Sequence, residues 1–307
     1  MSEQRADRRA LGALASTTDV GRATSARASK EVVVGNLQAD IAVSGGEGRY
    51  TAKVSPEWDF WTPNGGYLSA IALSAAAAET DLERPAAYYC HYLNPATSGH
   101  EADLIVTTLR RSRRTHAMRV EMSQEGNAVL EALIWAFAPN GGIDHNHARM
   151  PDVPAPDELR TSEEIHYPDE APFPFWANVE GKPVSWTGRW DERPIMHPLW
   201  RVWNRFRPQA TFDDPFVDAA RMLILIDTMV YPAAAVAHEG TFPFVAPSMD
   251  LAVRFHQTGT DAGWLLSSTE SPIGLDGLIG GYAAVWTEDG RLLATGGQQM
   301  VYRPMPS

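Results

Sequence analysis

A single cysteine, Cys90, is all the thiol chemistry available to this chain of 307 residues. One cysteine excludes an intrachain disulfide framework and any zinc site built on thiolates. Within Tyr88-Tyr89-Cys90-His91-Tyr92 it reads as a strand residue, a small buried hydrophobe. A nucleophilic thiolate needs an electropositive, partly open setting, and His91 points to the other strand face. Excess positive charge is missing too: 26 Lys plus Arg stand against 38 Asp plus Glu, a formal net charge of -12. Gripping nucleic acid requires a basic face, so nucleic acid is not an expected partner. The longest apolar stretch, residues 68–78, falls far short of the roughly 20 residues of a membrane span. No membrane anchor is predicted, and the expected compartment is the cytoplasm. Asp144-His145-Asn146-His147 has a metal-like spacing without an obvious third or fourth ligand. Neither a metal nor another cofactor is expected.

What is present is ordinary for a folded chain, 44% hydrophobic and 21% charged. The length corresponds to two domains of roughly 150 residues or one of double size. Residues 1–30, rich in Ala, Arg, Ser and Thr, read as a disordered N-terminal tail. An organelle transit peptide has a similar composition, and Glu3, Asp7 and Asp19 count against it. From Glu31 a β-like stretch (Val32-Val33-Val34, then 50–54) leads to Trp61-Thr62-Pro63-Asn64-Gly65-Gly66. Residues 67–79 are apolar on nearly every face, which predicts a buried helix. Its small residues would let it lie close against a sheet. Strands follow at 87–93, 102–109, 116–123 and 129–137, an antiparallel meander with a hairpin turn at Glu125-Gly126. Residues 139–171 form a Pro-rich linker.

The second half repeats this order. After Trp- and Pro-rich segments (173–190, 199–206) comes an apolar run at 219–237. Strand-like runs at 249–255, 264–268, 280–287 and 292–302 follow, with a turn at Glu288-Asp289-Gly290. Gly126 and Gly290 set an offset of 164 residues. The repeat lies in pattern rather than identity, and it is the most informative feature of the chain.

A buried helix followed by a long antiparallel meander, present twice, resembles the hotdog fold in its double form. Thr62-Pro63-Asn64-Gly65-Gly66-Tyr67-Leu68 is similar to the start of the first helix in acyl-CoA thioesterase II (TesB-like) proteins. Pro247-Ser248-Met249-Asp250-Leu251, ending in Phe255-His256, resembles their second-half strand. Asp289-Gly290-Arg291-Leu292-Leu293-Ala294-Thr295 with Gln298 resembles their final hairpin. The resemblance covers residues 35–138 and 172–304. It implies an α+β double hotdog, each half an antiparallel sheet wrapped around a central helix. The N-terminal hotdog would occupy 31–138, and the C-terminal one, 172–307, would carry the catalytic residues. The implied activity is hydrolysis of an acyl-CoA thioester to a free acid and CoA. Family members hold the attacking water with an Asp on the second helix, a Ser or Thr on the next strand and a Gln on the last. Those positions fall on Asp227, Ser248 and Gln298.

Asp227 stands out on physical grounds as well. It follows Met222-Leu223-Ile224-Leu225-Ile226, and a carboxylate there costs several kcal/mol unless it is hydrogen-bonded or its pKa rises. A structurally paired Asp is one reading. A general base, with Ser248 and Gln298 orienting water, is the other. Attack by Asp227 itself through an anhydride stands beside the base reading. Gly65 and Gly66 open the first helix, where free N–H groups of Gly66 and Tyr67 would face an oxyanion; a tight turn needing glycine explains the pair equally well. Pro232 should kink or end the second helix soon after Asp227.

Arg113 and Arg114, in Arg110-Arg111-Ser112-Arg113-Arg114, read either as a solvated hairpin tip or as contacts for the CoA phosphates. Asp250 shares a strand face with Ser248 and is the backup base or a supporting residue. At the offset of 164, Gln298 corresponds to Ile134 and Ser248 to Arg84. The offset of 160 between Glu79 and Glu239 sets Asp227 opposite Tyr67, so one active site per chain is expected.

Three rival readings differ in class. A hotdog hydratase pairs its Asp with a His a few residues along the helix, whereas here the first histidine after Asp227 is His238. A catalytically silent acyl-thioester or lipid-binding protein would keep the fold alone. An enzyme of specialised metabolism would use the aromatic residues Phe173, Phe175, Trp176, Trp186, Trp190, Trp200 and Trp203 for a bulky ligand, a role that plain packing fills as well. The expected partners are an acyl-CoA substrate and a second copy of the chain, as a homodimer.

Overall fold

Period-two burial builds the sheet of this protein. Along β4 (Glu101–Arg111) and β5 (Thr115–Gln124) alternate residues are buried, because successive side chains leave a strand on opposite faces. The computed structural model describes residues 33–165, 173–240 and 243–304; the tail expected over residues 1–30 lies outside them. In the first half, one turn of helix, α1 (Leu37–Asp40), precedes β1 (Ser44–Gly46) and β2 (Arg49–Lys53). Then come α2 (Gly65–Ala78), β3 (Arg84–Tyr92), β4, β5 and β6 (Asn127–Phe137). Val33 and Val34 are exposed coil rather than strand, since no strand pairs with them and β-branched residues alone do not make a ladder. The second half holds α3 (Ser162–Ile165), β7 (Val179–Pro183), β8 (Leu199–Phe206) and α4 (Pro215–Ala235). It ends with β9 (Asp250–Phe255), β10 (Leu265–Leu275), β11 (Leu278–Thr287) and β12 (Leu292–Val301).

Among the described residues all twelve strands form one sheet, in the order β1-β2-β4-β5-β6-β3-β9-β12-β11-β10-β8-β7. The two halves meet at β3 and β9, antiparallel from Ala87↔Arg254 to His91↔Asp250. Each half wraps one long helix, so the chain is a double hotdog. One detail differs from the simple meander. Strand β3 pairs with β6 and β9 rather than with β4, so of β3 to β6 it is β4, β5 and β6 that follow one another as neighbours. The Trp-rich segment 199–206 is itself a strand, β8, whose buried Trp200, Val202 and Phe206 fill the core.

The offset of 164 carries β4 onto β10 residue for residue. The helices obey a shorter offset: their C-caps, Glu79 and Val236, put Ala70 rather than Tyr67 opposite Asp227. Helix α2 is apolar all round because it is enclosed all round, by β3–β6 and by α4. Gly66 permits this approach, since a Cβ there would lie 2.6 Å from Ile224 Cα and 2.7 Å from the Leu223 carbonyl oxygen. Helix α4 starts with Asp214 accepting from the Phe216 N–H and with Pro215 in the first turn, where its missing N–H costs nothing. Pro232 lies inside α4, and the helix ends one turn later.

A fully buried ion pair ties the α4 N-terminus to two loops. Arg221 donates to Asp218 and to the carbonyls of Ala210, Gly259 and Ala262, while Asp218 accepts from the Gly259 N–H. Part of the Pro-rich stretch packs on the outer face of the second half. Ala148, Met150, Val153 and Leu159 cover Trp203, Leu266 and Trp286, and Trp203 Nε1 donates to the Pro154 carbonyl. Among the described residues no helix is long and apolar enough to cross a membrane.

Candidate active site

Asp227 sits mid-way along α4, where the helix faces the N-terminal end of α2. Its neighbours before it, Met222 to Ile226, are all buried, so the carboxylate is carried into an apolar layer by helical necessity. Four groups meet it there. Oδ2 accepts from the Gly66 N–H at 2.8 Å and from Asn64 Nδ2 at 3.2 Å. Oδ1 accepts from Ser248 Oγ at 2.9 Å. Gln298 Nε2 donates to the Asp227 main-chain carbonyl at 2.7 Å. Burial pushes the Asp227 carboxyl up from 3.8 to about 6, against the opposing pull of Gly66, Ser248 and Asn64.

The bond from Gln298 Nε2 fixes that amide, so its Oε1 faces Ser248 at 3.0 Å. The Ser248 hydroxyl therefore meets two acceptors, Asp227 Oδ1 and Gln298 Oε1, with one proton. A water placed against them has the second hydrogen that this set can use. Asp227 and Gln298 are buried, while Ser248 is part-exposed and opens the cluster to solvent. Ser248 lies just before β9, bridged to Met300, and Gln298 lies in β12 opposite Gly281. Loop, helix and strand thus bring together residues 21 and 50 positions apart.

The other sequence candidates divide. Gly65 lines the site: a Cβ built on it would lie 3.1 Å from Asp227 Oδ2 and 3.0 Å from Tyr92 Cζ. Gly66 and Tyr67 do not offer free N–H groups, contrary to expectation. The Gly66 N–H is bound to Asp227, and the Tyr67 N–H donates to Asn64 Oδ1 at 2.9 Å. Nor does the Tyr67 side chain reach a ligand, because it is fully buried, donating to the Asp40 carbonyl and accepting from the Ser55 N–H. Asp250 is not placed as a base; its Oδ1 accepts from the Gln299 N–H at 2.7 Å and pins the strand that carries Gln298. Arg113 and Arg114 are exposed at the β4–β5 turn. Their neighbour Arg111 donates to the Glu79 carbonyl at the C-cap of α2, a helix length of about 20 Å from Gly65. The structure does not bring them to the trio.

Three groups escaped sequence reasoning. Asn64 caps α2 with its Oδ1 and reaches Asp227 and Thr228 with its Nδ2; an Asn before Gly-Gly at a helix start was the available signal. Tyr92 and Ser69 share a 2.8 Å hydrogen bond beside Gly65. Nothing in local sequence links them to residue 227. Burial pushes the Cys90 thiol up to about 11, which suits an inert packing residue. Phe175 is fully buried and stacks on Phe60, so this aromatic position is core.

Comparison with known proteins fits this geometry. Residues 149–302 match the acyl-CoA thioesterase C-terminal domain, and residues 54–137 match the acyl-CoA thioesterase N-terminal domain. The chain belongs to the acyl-CoA thioesterase family. It is a thioester hydrolase of that family, with acyl-CoA as its substrate class. Among solved structures it resembles a tesB protein of Mycobacterium avium subsp. paratuberculosis, with 21% identity, TM-score 0.71, and 87% of this chain and 98% of that one covered. A hot dog fold protein of unknown function from Alicyclobacillus acidocaldarius aligns with 23% identity and TM-score 0.75, covering 88% and 99%. Acyl-CoA thioesterase II of Mycobacterium marinum aligns with 19% identity and TM-score 0.70, covering 88% and 98%. At these identities the likeness speaks to the fold. No curated protein matches the sequence. In this thioesterase the matched domains include Asp227, Ser248 and Gln298 on one side and Asn64, Gly65, Gly66 and Tyr92 on the other.

Proposed function

We propose that this thioesterase hydrolyses its acyl-CoA to a free carboxylic acid and CoA by direct attack of water, with Asp227 as general base. The observation that carries the reading is the buried Asp227 carboxylate sharing the Ser248 hydroxyl with Gln298. A base poised near pH 6 is ionised at neutral pH yet basic enough to take a proton in the transition state. Ser248 and Gln298 then orient the water through one donor and two acceptors. The groups hydrogen-bonded to Asp227 are a backbone N–H, an amide and a hydroxyl, and no imidazole stands among them to serve as the second acid–base group of a hydratase. Ala70, Ile134 and Arg84 occupy the mirror positions of the first half, which leaves one catalytic set per chain.

The test is thiol release from a panel of acyl-CoAs by the parent and by Asp227→Asn. Loss of at least 100-fold in kcat from a folded variant supports the reading, within the range a general base supplies. An unchanged kcat removes Asp227 from the chemistry.

A further inference from the structure

Addition of water to a thioester carbonyl puts negative charge on its oxygen, and that charge needs a hydrogen-bond donor aimed at it. The first turn of α2 is the obvious source, and three of its N–H groups are already spent. The Gly66 N–H goes to Asp227 Oδ2, the Tyr67 N–H to Asn64 Oδ1 and the Leu68 N–H to the Asn64 carbonyl.

A side-chain donor stands beside the same spot. The Cβ that Gly65 lacks would lie 3.1 Å from Tyr92 Oη and 3.1 Å from Asp227 Oδ2. The two oxygens are thus within about 6 Å of one another, both beside the position that a side chain at Gly65 would fill. A carbonyl group brought to that position would have both the base and a phenol hydroxyl near it. Tyr92 as a residue is part-exposed.

Its position is set from both halves. Tyr92 ends β3, and its N–H donates to the Met249 carbonyl at 3.0 Å, next to Ser248. Its hydroxyl lies 2.8 Å from Ser69 Oγ, fully buried and one turn along α2 from Gly65. With Ser69 giving its proton to Tyr92 Oη, the phenol proton is left for a ligand. Burial, and then the nearby Asp227 charge, push the Tyr92 hydroxyl well above its ordinary value. It stays protonated, a donor, wherever Asp227 is ionised.

We propose that Tyr92 is a further catalytic residue of this site, its hydroxyl donating to the thioester carbonyl oxygen as that oxygen becomes an oxyanion, with Ser69 as the positioning residue that orients it. The assignment rests on the water-attack reading above. In the step, water oxygen bonds to the carbonyl carbon while Asp227 takes its proton. The carbonyl π pair moves onto the oxygen that Tyr92 holds. Collapse restores the carbonyl, the C–S bond breaks, and the CoA sulfur leaves with its electron pair and receives the proton from Asp227.

Three variants assayed side by side by thiol release test this: Tyr92→Phe, Ser69→Ala and Asp227→Asn. Tyr92→Phe should lower kcat by about 100-fold or more, the scale of removing one oxyanion donor, with KM within threefold. Ser69→Ala should lower kcat by a smaller factor, also without raising KM. Binding of a thioether CoA analogue, which has no carbonyl oxygen, should be the same in the parent and Tyr92→Phe; a purely structural tyrosine would move that binding with kcat. If Asp227→Asn is inactive while Tyr92→Phe and Ser69→Ala both keep kcat within twofold, the oxyanion donor is elsewhere and the assignment is overturned alone. Should Tyr92→Phe fail to fold, an unchanged kcat in Ser69→Ala overturns it. Parent-like turnover by Asp227→Asn overturns the assignment together with the reading beneath it.

Discussion

The Gly66 N–H donates to Asp227 Oδ2 at 2.8 Å, joining residues 161 positions apart on the two central helices. One bond ties the N-terminus of the first half's helix to the buried carboxylate carried by the second. A carboxylate that is largely desolvated is stabilised there by a fixed dipole and a main-chain donor. Neither half can assemble this site alone, and the rate, the pH dependence and the packing each report on it.

The pH–rate profile follows from the Asp227 carboxyl at about 6. Only the ionised form accepts a proton, so kcat/KM should rise with pH through a midpoint near 6 and level off above it. A profile flat from pH 5 to 8 contradicts the base role.

Stability should move the other way. The folded-state pKa, about 6, lies above the ordinary 3.8, so the native state holds this proton more tightly. The associated stability is present below about pH 4 and is lost as pH rises through about 6, by up to about 3 kcal/mol. Thermal unfolding of Asp227→Asn should lack that slope, with a Tm at pH 8 no lower than the parent's.

Adjacent glycines should fail differently. Gly66→Ala drives a methyl into Ile224 Cα and the Leu223 carbonyl oxygen, backbone atoms at 2.6 and 2.7 Å, and should cost about 1–3 kcal/mol of stability. Gly65→Ala meets the Tyr92 hydroxyl end and Asp227 Oδ2 at 3.0–3.1 Å. It should leave Tm within a few degrees while blocking turnover. Thermal melts paired with thiol release separate the two.

The Arg221–Asp218 pair should dominate the electrostatics of stability. Both side chains are buried, and Arg221→Met leaves Asp218 uncompensated at a cost of about 3–5 kcal/mol. Arg291→Met breaks contacts to the exposed Asp261 and Asp289 and should cost less than about 1 kcal/mol. Denaturant melts of the two variants measure the difference.

Sequence was informative where physics is local. Strand alternation and the all-apolar 67–79 run place the elements, and a carboxylate after five apolar residues marks Asp227. Sequence reasoning was poor where partners are distant. That Gly66 spends its N–H on Asp227 depends on how α2 meets α4, and no spacing along the chain encodes that crossing. Tyr92 and Asn64 enter the site from the opposite half for the same reason. Arg113 and Arg114 look like phosphate ligands by composition alone; only the direction of α2 puts them at its far end. Pairing of β3 with β6 likewise depends on closure of the whole sheet.

A single turnover in ¹⁸O-labelled water, with enzyme in excess over acyl-CoA, tests water attack on the thioester most directly. If Asp227 acts as base, the first turnover puts one ¹⁸O into the product carboxylate and none into the protein. Unlabelled product with ¹⁸O in the peptide containing Asp227 would contradict the account, because the carboxylate would then itself have attacked the thioester.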